Sequence, residues 1–173
     1  MFENDITISG KHATYTKFLV NEAKVFKRYI DVYMNGAIFG FLYGRISEKD
    51  KDSTDRARIY ADALATERLK CDFIYRLIML LDETSNITIE RKIDRAFRDD
   101  AKQDTSENHK ANMNLFNSYV LGGIEALYDK FTEDTTTKED YIHKIHEVVS
   151  DFKAEIEGVP YDSRIKEVIE GYK

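Results

Sequence analysis

Glycine recurs every fourth residue in the stretch "NGAIFGFLYGR", at Gly36, Gly40 and Gly44. The surrounding residues read as helix. Glycine inside a helix costs about 1 kcal/mol relative to alanine, so three on one face demand a compensating contact. Small residues four apart let helices in lipid approach closely, but Asp31 and Arg45 bracket only residues 32–44, and a spanning helix needs roughly 20 apolar residues. The stripe is therefore expected to serve a soluble protein. It is either a seam where a second helix packs closely, or a cleft where bare backbone meets a ligand.

A second glycine pair, Gly122 and Gly123, also falls inside a helical pattern. Mid-helix glycines of this kind usually have a packing or functional cause, and the economical reading makes the two faces partners. The functional alternative is a cleft walled by Tyr29, Tyr33, Tyr43, Tyr119 and Tyr128.

With one proline and eight glycines in 173 residues, little room remains for turns. The expected fold is all-α: a single globular bundle of five to seven helices over residues 1–173. Residues 1–12 are expected as an N-terminal arm, extended or with a short strand, because Ile6 and Ile8 alternate with polar residues. A helical pattern runs from Thr14 to Gly44, read either as one long helix or as two with a break near Asn21. Residues 47–55 read as a loop. Ser53 or Thr54 is placed as the N-cap of a helix reaching Glu83, and its half from Phe73 to Leu81, apolar nearly all round, is expected to be central and buried. Thr88 caps a short charged helix with Ile89, Ile93, Ala96 and Phe97 inward. Ser106 opens a helix ending near Phe131. Thr137 with Asp140 approximates a capping box for a helix burying Tyr141, Ile145, Val148, Val149, Phe152 and Ile156. Gly158 and Pro160 end that helix, and a last short one covers 163–170.

No catalytic constellation emerges from the motifs. "SGKHAT" holds Gly10-Lys11 but lacks the other P-loop positions: Asp5 stands where the first glycine belongs, and His12 replaces the magnesium-binding hydroxyl. His143 and His146 are three apart and lack the spacing and glutamate of a zinc-binding HExxH. Carboxylate pairs such as Asp62/Glu67 or Asp82/Glu83 have no fixed separation in the sequence. No metal and no cofactor is therefore expected. The lone cysteine, Cys71, cannot form an internal disulfide, which suits a reducing compartment, and the acidic start "MFENDITISG" has no signal-peptide core.

Asp31 is the carboxylate to watch, since it interrupts an aromatic helix and, if buried, needs a partner such as Arg28 or Arg45. Arg91, Arg95 and Arg98, with Lys92 beside them, form a stripe at helical spacing that could meet an acidic protein partner or phosphates. Interleaved Glu90, Asp94, Asp99 and Asp100 favour a solvated, salt-paired face instead. A net charge of −6 also argues against a uniformly basic nucleic-acid binder.

The runs "FKRYIDVYMNGAIFG" (26–40) and "LFNSYVLGGIEALYDKF" (115–131) cover under a fifth of the chain. Through Phe26, Tyr29, Asp31, Val32, Ala37 and Gly40, and through Phe116, Tyr119, Gly122 and Gly123, they resemble two segments of a small family of accessory proteins. That family is encoded beside bacterial DNA phosphorothioation (Dnd) systems. The resemblance implies a cytoplasmic bacterial protein tied to DNA modification or phage defence, docking onto other proteins of such a system. It implies no catalytic residue. The leading expectation is thus a non-enzymatic accessory subunit, with no membrane and with a homo-oligomer left open. A nucleic-acid-binding regulator using the arginine stripe is the first alternative, and an enzyme with an unrecognised helical site is the second.

Overall fold

The computed structural model describes residues 2–99 and 107–157. Among them lie β1 (Ile6–Ser9), α1 (Lys11–Lys17), α2 (Tyr29–Leu42), β2 (Arg56–Ile59), α3 (Ala61–Thr66), α4 (Arg68–Leu81), α5 (Ile89–Phe97), α6 (Glu107–Thr132) and α7 (Lys138–Glu157). The fold is mostly helical, as the sequence pattern predicts. Ser106, Gly158, Pro160 and the helix expected over 163–170 lie outside the described residues. The chain divides into two compact units at 130/131, each taken by itself here.

In the first unit, β1 and β2 form an antiparallel pair with Ile6 opposite Ile59 and Ile8 opposite Ala57. Ile8, Ala57 and Ile59 are buried, so the alternation of the two strands feeds one core face. The strand in the N-terminal arm was expected; β2 was not. Residues 56–59 read as the start of a helix capped at Ser53 or Thr54, but the helix begins only at Ala61. A strand of four residues carries little local signal, and its partner lies about fifty residues upstream. Asp5 joins strand and helix: its carboxylate accepts from the Ala61 amide at 2.8 Å and from Arg58 Nε at 2.8 Å.

Of the two readings of the 14–44 pattern, the one with a break near Asn21 is the one present. α1 widens into a π-helical turn, Phe18–Glu22, and the chain turns through Lys24 in the left-handed region (φ 55°) before α2 starts. The core gathers the fully buried Tyr33, Tyr75 and Phe116. Phe2 lies edge-on to all three rings, at 6.5, 6.5 and 5.9 Å between centroids. Each buried ring of this kind contributes about 1.5–3 kcal/mol, so the N-terminal arm is anchored by its second residue.

Two burial expectations are corrected. α4 buries Cys71, Ile74, Tyr75, Ile78 and Met79, but Phe73, Leu77 and Leu81 are exposed. On α5 only Ala96 of the four apolar positions is buried; Ile89, Ile93 and Phe97 face solvent. Both helices have one side against the core and a second apolar side without cover among the described residues. The N-cap at Thr88 is as expected, its hydroxyl accepting from the Arg91 amide at 3.3 Å.

In the second unit, α7 starts with the expected capping box. The Asp140 amide donates to Thr137 Oγ1 at 3.2 Å, and the Thr137 amide donates to Asp140 Oδ2 at 2.7 Å. The Thr136 amide, at 2.9 Å, and the Thr137 amide both donate to the Asp140 carboxylate and hold it down at about 2. Val148 is buried, whereas Val149 and Phe152, expected inward, are exposed.

Candidate interaction surface

The glycine faces of α2 and α6 meet each other. A β-carbon at Gly123 would overlap the Gly36 carbonyl and lie 2.5 Å from the Gly40 amide nitrogen; one at Gly40 would lie 2.7 Å from the Tyr119 carbonyl carbon. At Gly36 it would come within 3.0 Å of the Val120 carbonyl oxygen. Gly36, Gly40 and Gly123 therefore form a backbone-to-backbone seam, the packing alternative of the two sequence readings.

Gly44 departs from that expectation. Nothing approaches within 4 Å of its β-position, and its φ is +59°. It ends α2: the Gly44 amide donates to the Phe41 carbonyl at 3.1 Å and the Arg45 amide to the Gly40 carbonyl at 2.8 Å, the paired bonds of a Schellman motif. The turn sends residues 45–47 back across α6, where the Ser47 amide donates to the Ser118 carbonyl at 2.9 Å. Gly122 makes room for this crossing, since a β-carbon there would sit 2.5 Å from the Arg45 carbonyl carbon.

The tyrosines do not line a common cleft. Tyr33 is buried and donates to Asn117 Oδ1 at 3.0 Å. Tyr119 is buried and donates to Asp82. Tyr29 accepts from Asn21 at 3.2 Å, Tyr43 is exposed, and Tyr128 stacks on Tyr15 at 3.9 Å. Asp31 takes the first of its expected partners. It accepts from the Arg28 amide at 3.1 Å and from the Arg28 guanidinium at 2.6 Å, and Arg28 reaches on to Glu67 at 2.8 Å. Asp31 thus begins α2 and ties it to α4. His143 and His146 are exposed. Among the described residues no group of three metal-ligating side chains comes together.

The arginine stripe is taken apart by the fold. Arg95 points into the core. Its Nη2 donates to the Met79 carbonyl at 2.8 Å and to Asp82 Oδ2 at 3.0 Å, and its Nη1 to Ser85 at 3.0 Å. Asp82 also accepts from Tyr119 at 2.7 Å and Thr84 at 2.6 Å. Burial alone would raise the Asp82 carboxyl, but the hydrogen bonds from Thr84, Ser85, Tyr119 and Arg95 hold it well below the usual range. Arg91 forks onto Asp99 at 3.1 and 2.9 Å, and Arg98 pairs with Asp94 at 2.5 Å. Lys92, half-buried, is the one cation of the four with no ion pair among the described residues. The arginine meant for a phosphate is instead a clamp between α5 and the end of α4.

A second carboxylate with several donors, the half-buried Glu125 on α6, was not singled out in the sequence. It accepts from Ser47 at 2.7 Å and from His12 Nε2 at 2.9 Å, and pairs with Lys11 at 3.0 Å and Arg45 at 3.2 Å. Burial works to raise this carboxyl; the bonds from Ser47, Lys11 and His12 outweigh it and leave it at about 2. Burial lowers the pKa of the His12 imidazole, so a neutral ring donates through Nε2. Arg45, offered as a partner for Asp31, instead bonds Glu125 and Asp129.

The exposed side of α4 has a different character. Leu69 is 85% exposed and Phe73 65%. Together with Leu77, Leu80 and Phe97 they line an open groove of about 480 Å³ between α4 and α5. Asp72 and Arg76, one turn apart, lie in the same groove. The Arg76 guanidinium sits 5.6 Å over the Phe97 ring, and among the described residues it has no carboxylate partner. Asp72 is short of donors: its Oδ1 is buried without a hydrogen bond, and Arg68 stands 3.8 Å from Oδ2.

No family model, curated protein or solved structure matches the chain. The site therefore has to be read from its own chemistry. Glu125 and Asp82 are saturated with donors and locked into the packing, which makes them structural. Among the described residues no helix is long and apolar enough to cross a membrane. The groove of α4 and α5 combines large exposed apolar area with two under-used charges. A signal for it was present in the sequence. The row 69, 73, 77, 80 runs beside a second row at 71, 74, 75, 78, and only the first is flanked by charge at both 72 and 76.

Proposed function

We propose that this chain is a helical accessory subunit that works by protein–protein docking. The observation that carries the reading is the exposed apolar face of α4 and α5, with Leu69, Phe73 and Phe97 open to solvent. Contiguous patches of this kind mark contact surfaces. The resemblance of the 26–40 and 115–131 runs to Dnd-associated accessory proteins supplies the setting: bacterial, cytoplasmic, within a DNA-modification or phage-defence assembly. Nucleic acid is the weaker reading, because Arg95 is buried and Arg91 and Arg98 are already paired.

The test is a tagged pulldown of the full chain from its native host at low salt, with and without nuclease, read by mass spectrometry. Recovery of modification or restriction proteins that survives nuclease is the expected result. Recovery that disappears with nuclease makes DNA the bridge and overturns the docking reading.

A further inference from the structure

The exposed face of α4 carries one acid and one base a single turn apart. Along it the order is Leu69, Asp72–Phe73, Arg76–Leu77, Leu80. Asp72 and Arg76 lie on one flank near the middle of the row, and Phe73 and Leu77 on the other. We infer that this face is the two-fold contact of a homodimer, in which α4 of one copy lies antiparallel against α4 of the other.

A closed two-fold interface is self-complementary: if residue i meets residue j, then j meets i. An antiparallel pair with its two-fold axis at Ile74 brings Asp72 of each copy to the level of Arg76 of the other. One contact thus places two opposite-charge pairs on one flank, with Leu69 near Leu80 and Phe73 near Leu77, each within about one residue of the same axis. Among the described residues both charges are under-used. The Asp72 carboxylate has a 3.8 Å approach from Arg68 at Oδ2. Arg76 has the Phe97 ring, and a guanidinium carries five donors suited to gripping a carboxylate. Charge complementarity fixes register and partner choice more than affinity; the apolar rows supply the area. The heterologous alternative, a different protein on the same face, would need no such internal symmetry.

This inference rests on the reading of the α4 face as a protein contact, so its test separates the two. The mass of the purified full chain is measured by light scattering and analytical ultracentrifugation across the micromolar range. The wild type is expected to be a dimer. Phe73→Glu, at an exposed position, is expected to be a monomer with an unchanged circular dichroism spectrum. Asp72→Arg and Arg76→Asp each place like charges opposite one another and are expected to weaken the dimer about tenfold or more. An equimolar mixture of those two variants restores opposite charges at both pairs, and is expected to form a heterodimer that neither forms alone. A wild type that stays monomeric overturns the dimer. The docking reading then survives only if Phe73→Glu still abolishes capture of host proteins. A dimer that persists in Phe73→Glu, or a mixture that stays monomeric, overturns the inference as well.

Discussion

The carbonyl of Gly36 occupies the space that a side chain at Gly123 would need. A methyl group at 123 would overlap that carbonyl and crowd the Gly40 amide at 2.5 Å. Backbone cannot swing aside as a flexible side chain can, so α2 and α6 would have to part. Gly123→Ala and Gly40→Ala are expected to lose several kcal/mol of stability, within the range of severe overpacking. Gly36→Ala, at 3.0 Å, should lose far less, because the better helix propensity of alanine offsets part of the strain. Denaturant melts of the three variants check the order.

Gly44 is expected to behave differently, because its role is conformational. Gly44→Ala keeps an empty surrounding but forces a β-carbon into φ +59°. The expected loss is about 1 kcal/mol, and Gly44→Asn should recover part of it. A Gly44→Ala loss as large as that of Gly123→Ala would mean that the turn, and not the seam, governs how α2 packs.

Arg95 and Asp82 are both buried, and removing one leaves the other charge without its partner. Arg95→Met and Asp82→Ala are each expected to cost about 3–5 kcal/mol. Arg98→Ala, whose partner Asp94 is at the surface, should cost under about 1 kcal/mol. Chemical denaturation of the three, with the double variant Arg95→Met/Asp82→Leu as a test of partial recovery, measures the contrast.

Acid should unfold the first unit in two overlapping stages, and the sign follows from the two groups. Glu125 falls from 4.5 to about 2 on folding, so its contribution is complete above the unfolded value and drains away as pH drops from about 4.5 toward 2. His12 is also lowered on folding. Its contribution is complete above its unfolded value near 6.5 and is lost as pH falls below it. In both cases the unfolded chain binds more protons, so stability rises with pH across the window. Glu125→Gln should flatten the lower part of a stability–pH curve by on the order of 2 kcal/mol. His12→Gln should flatten the part of the curve just below about pH 6.5. A curve for Glu125→Gln parallel to the wild type below pH 4.5 would show that the carboxylate is ordinary.

Cys71 offers a check on burial. It is 1% exposed, and burial pushes its thiol up to about 11. A disulfide reagent at neutral pH should label it only as fast as the fold opens, and at once in denaturant. Rapid labelling of the native chain would place the core face of α4 in solvent and reverse the assignment of its two sides.

By itself the sequence determined the mostly helical class and the caps at Thr88 and Thr137, and it narrowed the strand near Ile6, the break near Asn21 and the pairing of the two glycine faces to two alternatives each. These are local or periodic signals: a hydroxyl bonds an amide three residues away, and a glycine inside a helix has few other uses. Tertiary structure alone decided the rest. β2 exists because Ile6 and Ile8 supply a partner about fifty residues away. Arg95 is a clamp, not a phosphate ligand, because the end of α4 brings Asp82 and a free carbonyl to it. Glu125 gathers Lys11, His12, Arg45 and Ser47 from two distant stretches of chain, and no spacing in the sequence encodes that meeting. Both rows of α4 are apolar; the charges at 72 and 76 beside the first are the sequence's hint, and periodicity does not rank the two. Which row is core and which stands open was settled by where α2 and the aromatic cluster came to lie.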